Sequence, residues 1–205
     1  MKTLIKTGLA VVALSLCLNA NALAGKFEDG LSAHERGDYA MAYRLFLPFA
    51  KQGDAKAQYS LALMYDNGQG VSQDYVEAVK WYRKAADQGV AVAQLNLGNR
   101  YRLGQGVLQD FAEANKWYRK AAEQGVAVAQ TTLGLAYSGG LGVPQDYVQA
   151  HKWFNLSAAN NPDKTDRDRA ASNRDLTAGK MTAAQIAEAQ KLAREWKPSS
   201  AASNK

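Results

Sequence analysis

Apolar and polar positions in the middle of the chain follow a helical period, and the same pattern returns every 36 residues. From Ala55 to Asp66, the residues Gln58, Leu61, Ala62 and Tyr65 fall at i, i+3, i+4 and i+7, which puts them on one face of a helix. A second stretch carries Ala78, Trp81, Tyr82 and Ala85 at the same spacing. Asp74 stands where a helix cap belongs, Glu77 three residues on is its capping-box partner, and Gly89 closes the segment as a C′ residue. Between the two stretches, Gly68-Gln69-Gly70-Val71 supplies a reversal with positive φ, and Val71 tucks an apolar side chain under the turn. The unit is therefore a helix pair, whose members are called A and B below.

The pair recurs. Ala57-Gln58, Leu61, Tyr65, Gly68, Gly70, Asp74 and Trp81 have counterparts 36 and 72 residues later, ending in Ala129-Gln130, Leu133, Tyr137, Gly140, Gly142, Asp146 and Trp153. Ala62, Gly98 and Gly134 are small where helix B must approach, while the Trp and Tyr rings fill the space between neighbours. A single pair cannot bury both faces, so stacking is compulsory and stability is a sum over units and their interfaces. This predicts an all-α solenoid of stacked helix-turn-helix repeats.

The ends depart from the pattern as capping units should. At the amino end Gly30, Ala33, Gly37-Asp38-Tyr39, Ala42 and Phe46 read as a helix pair without the Gly-x-Gly-Val turn. Beyond Asn160-Asn161-Pro162, a polar helix is expected from Lys164 to Ala178. Thr182 and Gln185 then form a capping box for a helix to about Trp196, with Ile186, Ala189, Ala193 and Trp196 on one side. The resulting division is a leader at 1–24, an amino-terminal capping pair at 25–53, repeats at 54–89, 90–125 and 126–161, a carboxy-terminal helical cap at 162–196 and a tail at 197–205.

The motif Ala-x-x-x-Leu-Gly-x-x-Tyr-x-x-Gly-x-Gly-Val-x-x-Asp, followed by Ala-x-x-Trp-Tyr-x-x-Ala-Ala-x-x-Gly, resembles the Sel-one-like repeat family, a relative of the tetratricopeptide repeat. The match runs from Ala57 to about Asn161, with Ala62 in place of the first Gly, Phe154 in place of Tyr, and Ser157 and Asn161 where the third repeat meets the cap. The resemblance implies a right-handed α-solenoid (superhelix) of SLR/TPR-like helix-turn-helix repeats of 36 residues, whose A helices line a concave surface used for protein contacts. It does not imply a single pathway, because such repeats serve as adaptors in varied settings.

The first residues change the picture of where the chain works. Lys2 and Lys6 precede an apolar run from Gly8 to Leu18, and Ala22-Leu23-Ala24 offers small residues for a signal peptidase. That run is too short for a hydrocarbon core, which needs roughly 20 residues of helix. Leu16 before Cys17 speaks against lipidation. Cleavage after Ala24 would leave 181 of the 205 residues and remove the only cysteine, so that stability must come from apolar burial and not from disulfides. The remainder carries 23 basic and 19 acidic residues, a net charge of +4. Its most basic-looking stretch interleaves Asp163, Asp166, Asp168 and Asp175 with Arg167, Arg169 and Arg174, the pattern of a solvated helix and not of a phosphate-binding stripe. The reading is an exported protein, periplasmic or secreted, with no nucleic-acid partner and no membrane insertion once the leader is gone.

Catalytic chemistry finds few parts. The Gly-x-Gly turns follow no strand and carry no Gly-Lys-Ser/Thr. Asp74, Asp110 and Asp146 recur a whole repeat apart and serve as N-caps better than as paired carboxylates. His34 and His151 lack a metal-ligand neighbour and read as surface or interface residues. No Ser is followed three residues later by Lys in the mature part, and Gly-x-Ser-x-Gly is absent. The expectation is a non-enzymatic protein without cofactor or metal, the alternative being an envelope hydrolase or an enzyme of the penicillin-binding or β-lactamase type.

Positions of helix A that change between repeats are free to serve a ligand. Tyr59, Leu63 and Asp66, then Leu95, Asn99 and Arg102, then Thr131, Leu135 and Ser138 lie at i, i+4 and i+7 and form a stripe beside the core stripe. Mixed apolar and polar, this stripe is the candidate groove for a protein or peptide segment. Intact-mass analysis of protein recovered from the periplasm is expected to show a chain starting at Gly25; a full-length, membrane-retained product would overturn the export reading.

Overall fold

The computed structural model describes residues 25–199, so the leader and the last six positions lie outside the described residues. Every regular element among the described residues is helical. The helices are α1 (25–35), α2 (Tyr39–Lys51), α3 (Ala55–Asn67), α4 (Tyr75–Asp87), α5 (Ala91–Leu103), α6 (Phe111–Glu123), α7 (Ala127–Gly139), α8 (Tyr147–Asn160), α9 (Lys164–Ala178) and α10 (Ala183–Glu195). Helices α3, α5 and α7 are the A helices, and α4, α6 and α8 the B helices, of a solenoid of consecutive helix-turn-helix repeats. The chain divides into two compact units, one ending at Asp74 and one beginning at Tyr75.

In the first unit α1 and α2 enclose Ala33, Ala42, Phe46 and Ala50, all buried. Phe27 packs against Phe46 and Phe49 at ring-centroid distances of 5.4 and 5.7 Å. Asp38 caps α2 by accepting from the Met41 N–H, and Asp54 caps α3 by accepting from the Ala57 N–H. The buried Gln58 donates its amide to the Ala50 carbonyl at 3.1 Å. That carbonyl belongs to the last turn of α2, where intrahelical partners run out.

The same bond explains the Ala-Gln pairs of the second unit. Gln94 donates to Ala86 O and Gln130 to Ala122 O, each at 3.1 Å, so each buried amide gives a second hydrogen bond to a last-turn carbonyl of the preceding B helix, which also accepts from the Gly89 or Gly125 N–H. A cation links the helices again on another side: the guanidinium of Arg83 donates to the Tyr101 hydroxyl, and that of Arg119 to the Tyr137 hydroxyl. Asp110 and Asp146 cap α6 and α8 through the N–H groups of Glu113 and Gln149. Glu113 does not turn back to complete a capping box; its carboxylate accepts from Trp117 Nε1 at 3.0 Å and from Lys116 Nζ at 2.8 Å.

Small residues sit where helices touch. A Cβ built on Gly98 would lie 2.7 Å from a ring carbon of Tyr118, and one on Gly134 equally close to Phe154. Gly106, at φ +75°, passes so near the Tyr75 carbonyl that a Cβ would lie 2.2 Å from its oxygen, which seats the turn of one repeat on the first residue of the preceding B helix. Gly142 repeats this against Phe111.

Beyond the third repeat, the expected polar helix and the expected capping box are both present, as α9 and as the Thr182/Gln185 pair at the head of α10. α9 and α10 both pack on α8. Ala193 belongs to a buried cluster with Ala121, Leu133, Trp153 and Phe154, against which Trp196 is also packed. Ser199 N–H then donates to Glu123 O at 2.7 Å, so part of the segment read as a tail is tied to the end of α6.

The Trp81, Trp117 and Trp153 side chains are all buried, as core positions should be. Trp117→Ala removes the buried ring of the middle repeat and its bond to Glu113, and is expected to cost about 3 to 5 kcal/mol. Chemical denaturation followed by circular dichroism checks this; a loss below about 1 kcal/mol would show that the Trp row is not structural.

Candidate functional site

The candidate stripe is best described helix by helix. On α3, in the first unit, Tyr59, Leu63 and Asp66 are half-buried. In the second unit the stripe lies on α5 and α7, and there the structure places most of its members on a run of cavities.

The first cavity, of about 340 Å³, lies between α5 and α7 with α6 as its floor. Asn99 and Arg102 of α5, Phe111 and Ala114 of α6, and Leu135 and Leu141 are among its lining residues. A second cavity of about 250 Å³ separates α7 from α9 and is lined by Thr131, Leu135, Asn161, Asp166, Arg169 and Asn173 among others. A third, of about 160 Å³, is bordered by Leu135, Ser138, Asn173, Leu176 and Lys180 among others. Leu135 borders all three and is 49% exposed.

Three stripe residues also serve the scaffold. Leu95 packs against the buried cluster of the third repeat. The Ser157 hydroxyl donates to Ala127 O at 2.9 Å, so the Thr131 hydroxyl 2.7 Å away is the donor to Ser157. The Tyr118 hydroxyl donates to Asn99 Oδ1 at 2.8 Å. Truncating Asn99 would strand that hydroxyl on a buried ring, at a cost of about 1 to 3 kcal/mol. Leu135 is exposed and carries no such duty, while the exposed Arg102 guanidinium hydrogen-bonds the Tyr118 hydroxyl. Sequence reasoning missed α9 as the far wall of the site: Asn173, Leu176 and Lys180 belong to no repeat, so comparing repeats could not single them out.

The titratable groups are tuned by packing. Burial pushes the Tyr118 phenol up, and Arg102 pulls partly the other way. Burial also lowers Lys152, with Arg119 acting in the same sense and Glu123 against. His151, expected at a surface or interface, is instead buried on α8 at 3% exposure. Its position corresponds to Val79 and Asn115 in the preceding repeats, where the B helix faces inward. Burial is the main cause that holds the His151 imidazole below its ordinary pKa, the nearby Arg174 adds to this, and Asp175 opposes it. Among the described residues, no group of three or more His, Cys, Asp or Glu side chains could hold a metal ion. None of the described helices is long and apolar enough to cross a membrane.

The family described as Sel1 repeat matches four consecutive segments of the chain, residues 20–54, 55–90, 91–126 and 127–162, so the amino-terminal pair is matched as well as the three regular repeats. Among solved structures the chain is similar to a protective antigen present in uropathogenic Escherichia coli strains that displays an SLR fold. The two are 32% identical over 85% of this chain and 45% of that one, with a TM-score of 0.58. It is likewise similar to a Sel1 repeat protein from Oxalobacter formigenes, at 31% identity over 82% of this chain and 74% of that one, with a TM-score of 0.64. The chain thus spans less than half the length of the Escherichia coli antigen. None of the curated proteins matches it.

The depressed His151 makes stability depend on pH with a definite sign. Above about pH 6.5 both folded and unfolded imidazoles are neutral and the contribution is full. As the pH falls below that value the unfolded chain takes up a proton that the folded one resists, so stability declines until the folded pKa is passed. Urea denaturation at pH 7.5 and pH 5 is expected to show a smaller decline for His151→Asn, which copies the residue found at Asn115, than for the natural chain. An equal decline in both would show that His151 does not carry the effect.

Proposed function

The chain belongs to the Sel1 repeat family, whose members typically act as protein-protein interaction scaffolds, and on that premise we propose that it is an exported, non-enzymatic scaffold holding an extended protein or peptide segment along α5, α7 and α9. The observation that carries this reading is Leu135, a half-exposed leucine at the junction of three cavities on one face. Singly exposed apolar side chains are ordinary. Here the leucine sits among concave surface with threonine, asparagine and arginine at hand, the mixture that binds a polypeptide by side-chain pockets and main-chain hydrogen bonds together.

The recurring polar residues have structural duties, which supports a scaffold over an enzyme. Gln94 and Gln130 close helix ends, Asp110 and Asp146 cap helices, and Arg119 serves Tyr137. Export is supported by the charged start, short apolar run and Ala-Leu-Ala sequence within residues 1–24, and by the likeness to a bacterial protective antigen. An envelope protein is accordingly the expected partner, and the periplasm or the outside the expected place.

A photo-reactive amino acid installed in place of Leu135, and separately in place of the exposed Lys116 on α6, tests the surface directly. Illumination in envelope extract is expected to give a discrete adduct from position 135 and none from position 116, and Arg102→Ala should weaken the adduct while leaving the melting temperature near that of the natural chain. An adduct from position 116 alone would place the partner on the B helices and sink the reading.

A further inference from the structure

The first cavity exists because of what the third repeat lacks. One repeat earlier, the corresponding ring is covered: the Arg100 guanidinium lies 5.2 Å over the Tyr75 ring, and its Nη1 donates to Gln105 Oε1 at 2.5 Å. Thirty-six residues on, Tyr75 becomes Phe111, Arg100 becomes Ala136 and Gln105 becomes Leu141. All three replacements line the cavity. The side chain that covers the ring, and the amide that holds it there, are both gone, and a face of Phe111 (37% exposed) opens onto empty space beside Leu135 and Leu141, which are 49% and 52% exposed.

Chemistry decides what fits. A cation over Phe111 would imitate Arg100, but the amide that accepted from Arg100 has given way to Leu141, and Arg102 stands in the same wall. No carboxylate lines the cavity to offset that charge. Two polar groups of the wall are engaged: Asn115 donates to Leu141 O at 2.6 Å, and Asn99 accepts from Tyr118. What remains for a ligand is largely apolar wall beside the exposed Arg102 guanidinium, which shares its donors with the Tyr118 hydroxyl. Among the described residues Arg102 forms no salt bridge.

The row beyond Leu135 continues the pattern. In the second cavity Arg169 is neutralised by Asp166 at 3.1 Å. In the third, Lys180 lies 5.3 Å over the Tyr147 ring without a carboxylate partner among the described residues. The charge left uncompensated along the row is therefore positive at both ends, with apolar and hydroxyl-bearing surface between. A row of cavities joined over one leucine suits an extended chain that places successive side chains in successive hollows.

Resting on the reading of this face as the binding surface, we propose that its occupant is an extended acidic and apolar peptide segment: one large aliphatic or aromatic side chain seats on Phe111 beneath Leu135, with an aspartate or glutamate next to it on Arg102 and a second acidic residue further along towards Lys180. Complementarity of this kind sets register and selects against basic segments.

Selection from a displayed library of random linear peptides on the purified full chain tests the proposal. The expected consensus pairs Phe, Trp, Leu or Met with adjacent Asp or Glu. The strongest synthetic peptide should lose about tenfold or more in affinity on Ala136→Arg combined with Leu141→Gln, the change that rebuilds the Arg100 and Gln105 arrangement and refills the space. Arg102→Glu, at an exposed position, should give a similar loss that is recovered when the peptide's acids become lysines. Circular dichroism melts of each variant, Arg102→Glu included, separate lost binding from lost folding. Peptides that need Leu135, being lost on Leu135→Asp, yet lack an acidic and apolar pattern or ignore the refilled space would overturn the proposed occupant and leave the groove standing. Peptides indifferent to Leu135→Asp but lost on Lys116→Ala, or no enrichment at all, would overturn the groove and the occupant together.

Discussion

At Gly98 the backbone of an A helix lies directly under the Tyr118 ring of its B helix, so close that even a methyl group would be 2.7 Å from a ring carbon. Gly134 and Phe154 repeat the arrangement. Without it the two helices of a repeat would stand further apart, the buried Gln94 and Gln130 amides would miss the carbonyls they donate to, and the turns would not reach the B helices they seat upon. Glycine in mid-helix costs roughly 1 kcal/mol in propensity relative to alanine. The contact with a large aromatic ring offsets that many times over, because a buried aromatic is worth several kcal/mol. The repeat is thus held by shape first, with hydrogen bonds placed where the shape leaves helix ends exposed.

This order explains the character of the candidate site. The walls α5, α6 and α7 serve fold and site together: Tyr118, which packs on Gly98, and Asn115, which donates to the Leu141 carbonyl, both line the cavity, and only the more exposed residues at its rim are free to vary. Leu135 shows this freedom. Asn99 shows its limit, since a stripe neighbouring the core shares some of its bonds, and the Tyr118 hydroxyl must end somewhere. A residue can vary between repeats and still carry structure in its own repeat.

Much of the fold was legible from periodicity because the repeat states its own core: Leu61, Leu97 and Leu133 are each fully buried, and the caps at Asp110, Asp146 and Thr182 stand where the pattern of side chains put them. The polar helix at Lys164–Ala178 was legible because Pro162 and Asp163 mark its start. Less legible was everything that depends on a single repeat meeting something unlike itself. His151 reads as an isolated polar residue in one dimension, and only its register with Val79 and Asn115 shows that it faces inward. The docking of Trp196 and Ser199 near the end of α6 joins positions about 75 residues apart with no periodic signal between them. The Glu113 carboxylate had two uses open to it, a capping box or the Trp117 indole, and sequence cannot weigh one geometry against the other.

The cavity over Phe111 belongs to a third kind, visible in the sequence only once the structure shows which positions face each other. Arg100 and Ala136 differ as dozens of other pairs differ across the repeats. Their difference matters because Arg100 is the lid of a ring and Ala136 leaves its counterpart bare. In a solenoid the residues that recur are consumed by the repeat's own closure, so binding capacity has to arise from departures, and the informative departures are those that remove a side chain from a packed position. The loss of an arginine over an aromatic ring changes volume, polarity and charge at one point, and it does so where α9, a helix outside the repeat pattern, extends the same face by two further hollows.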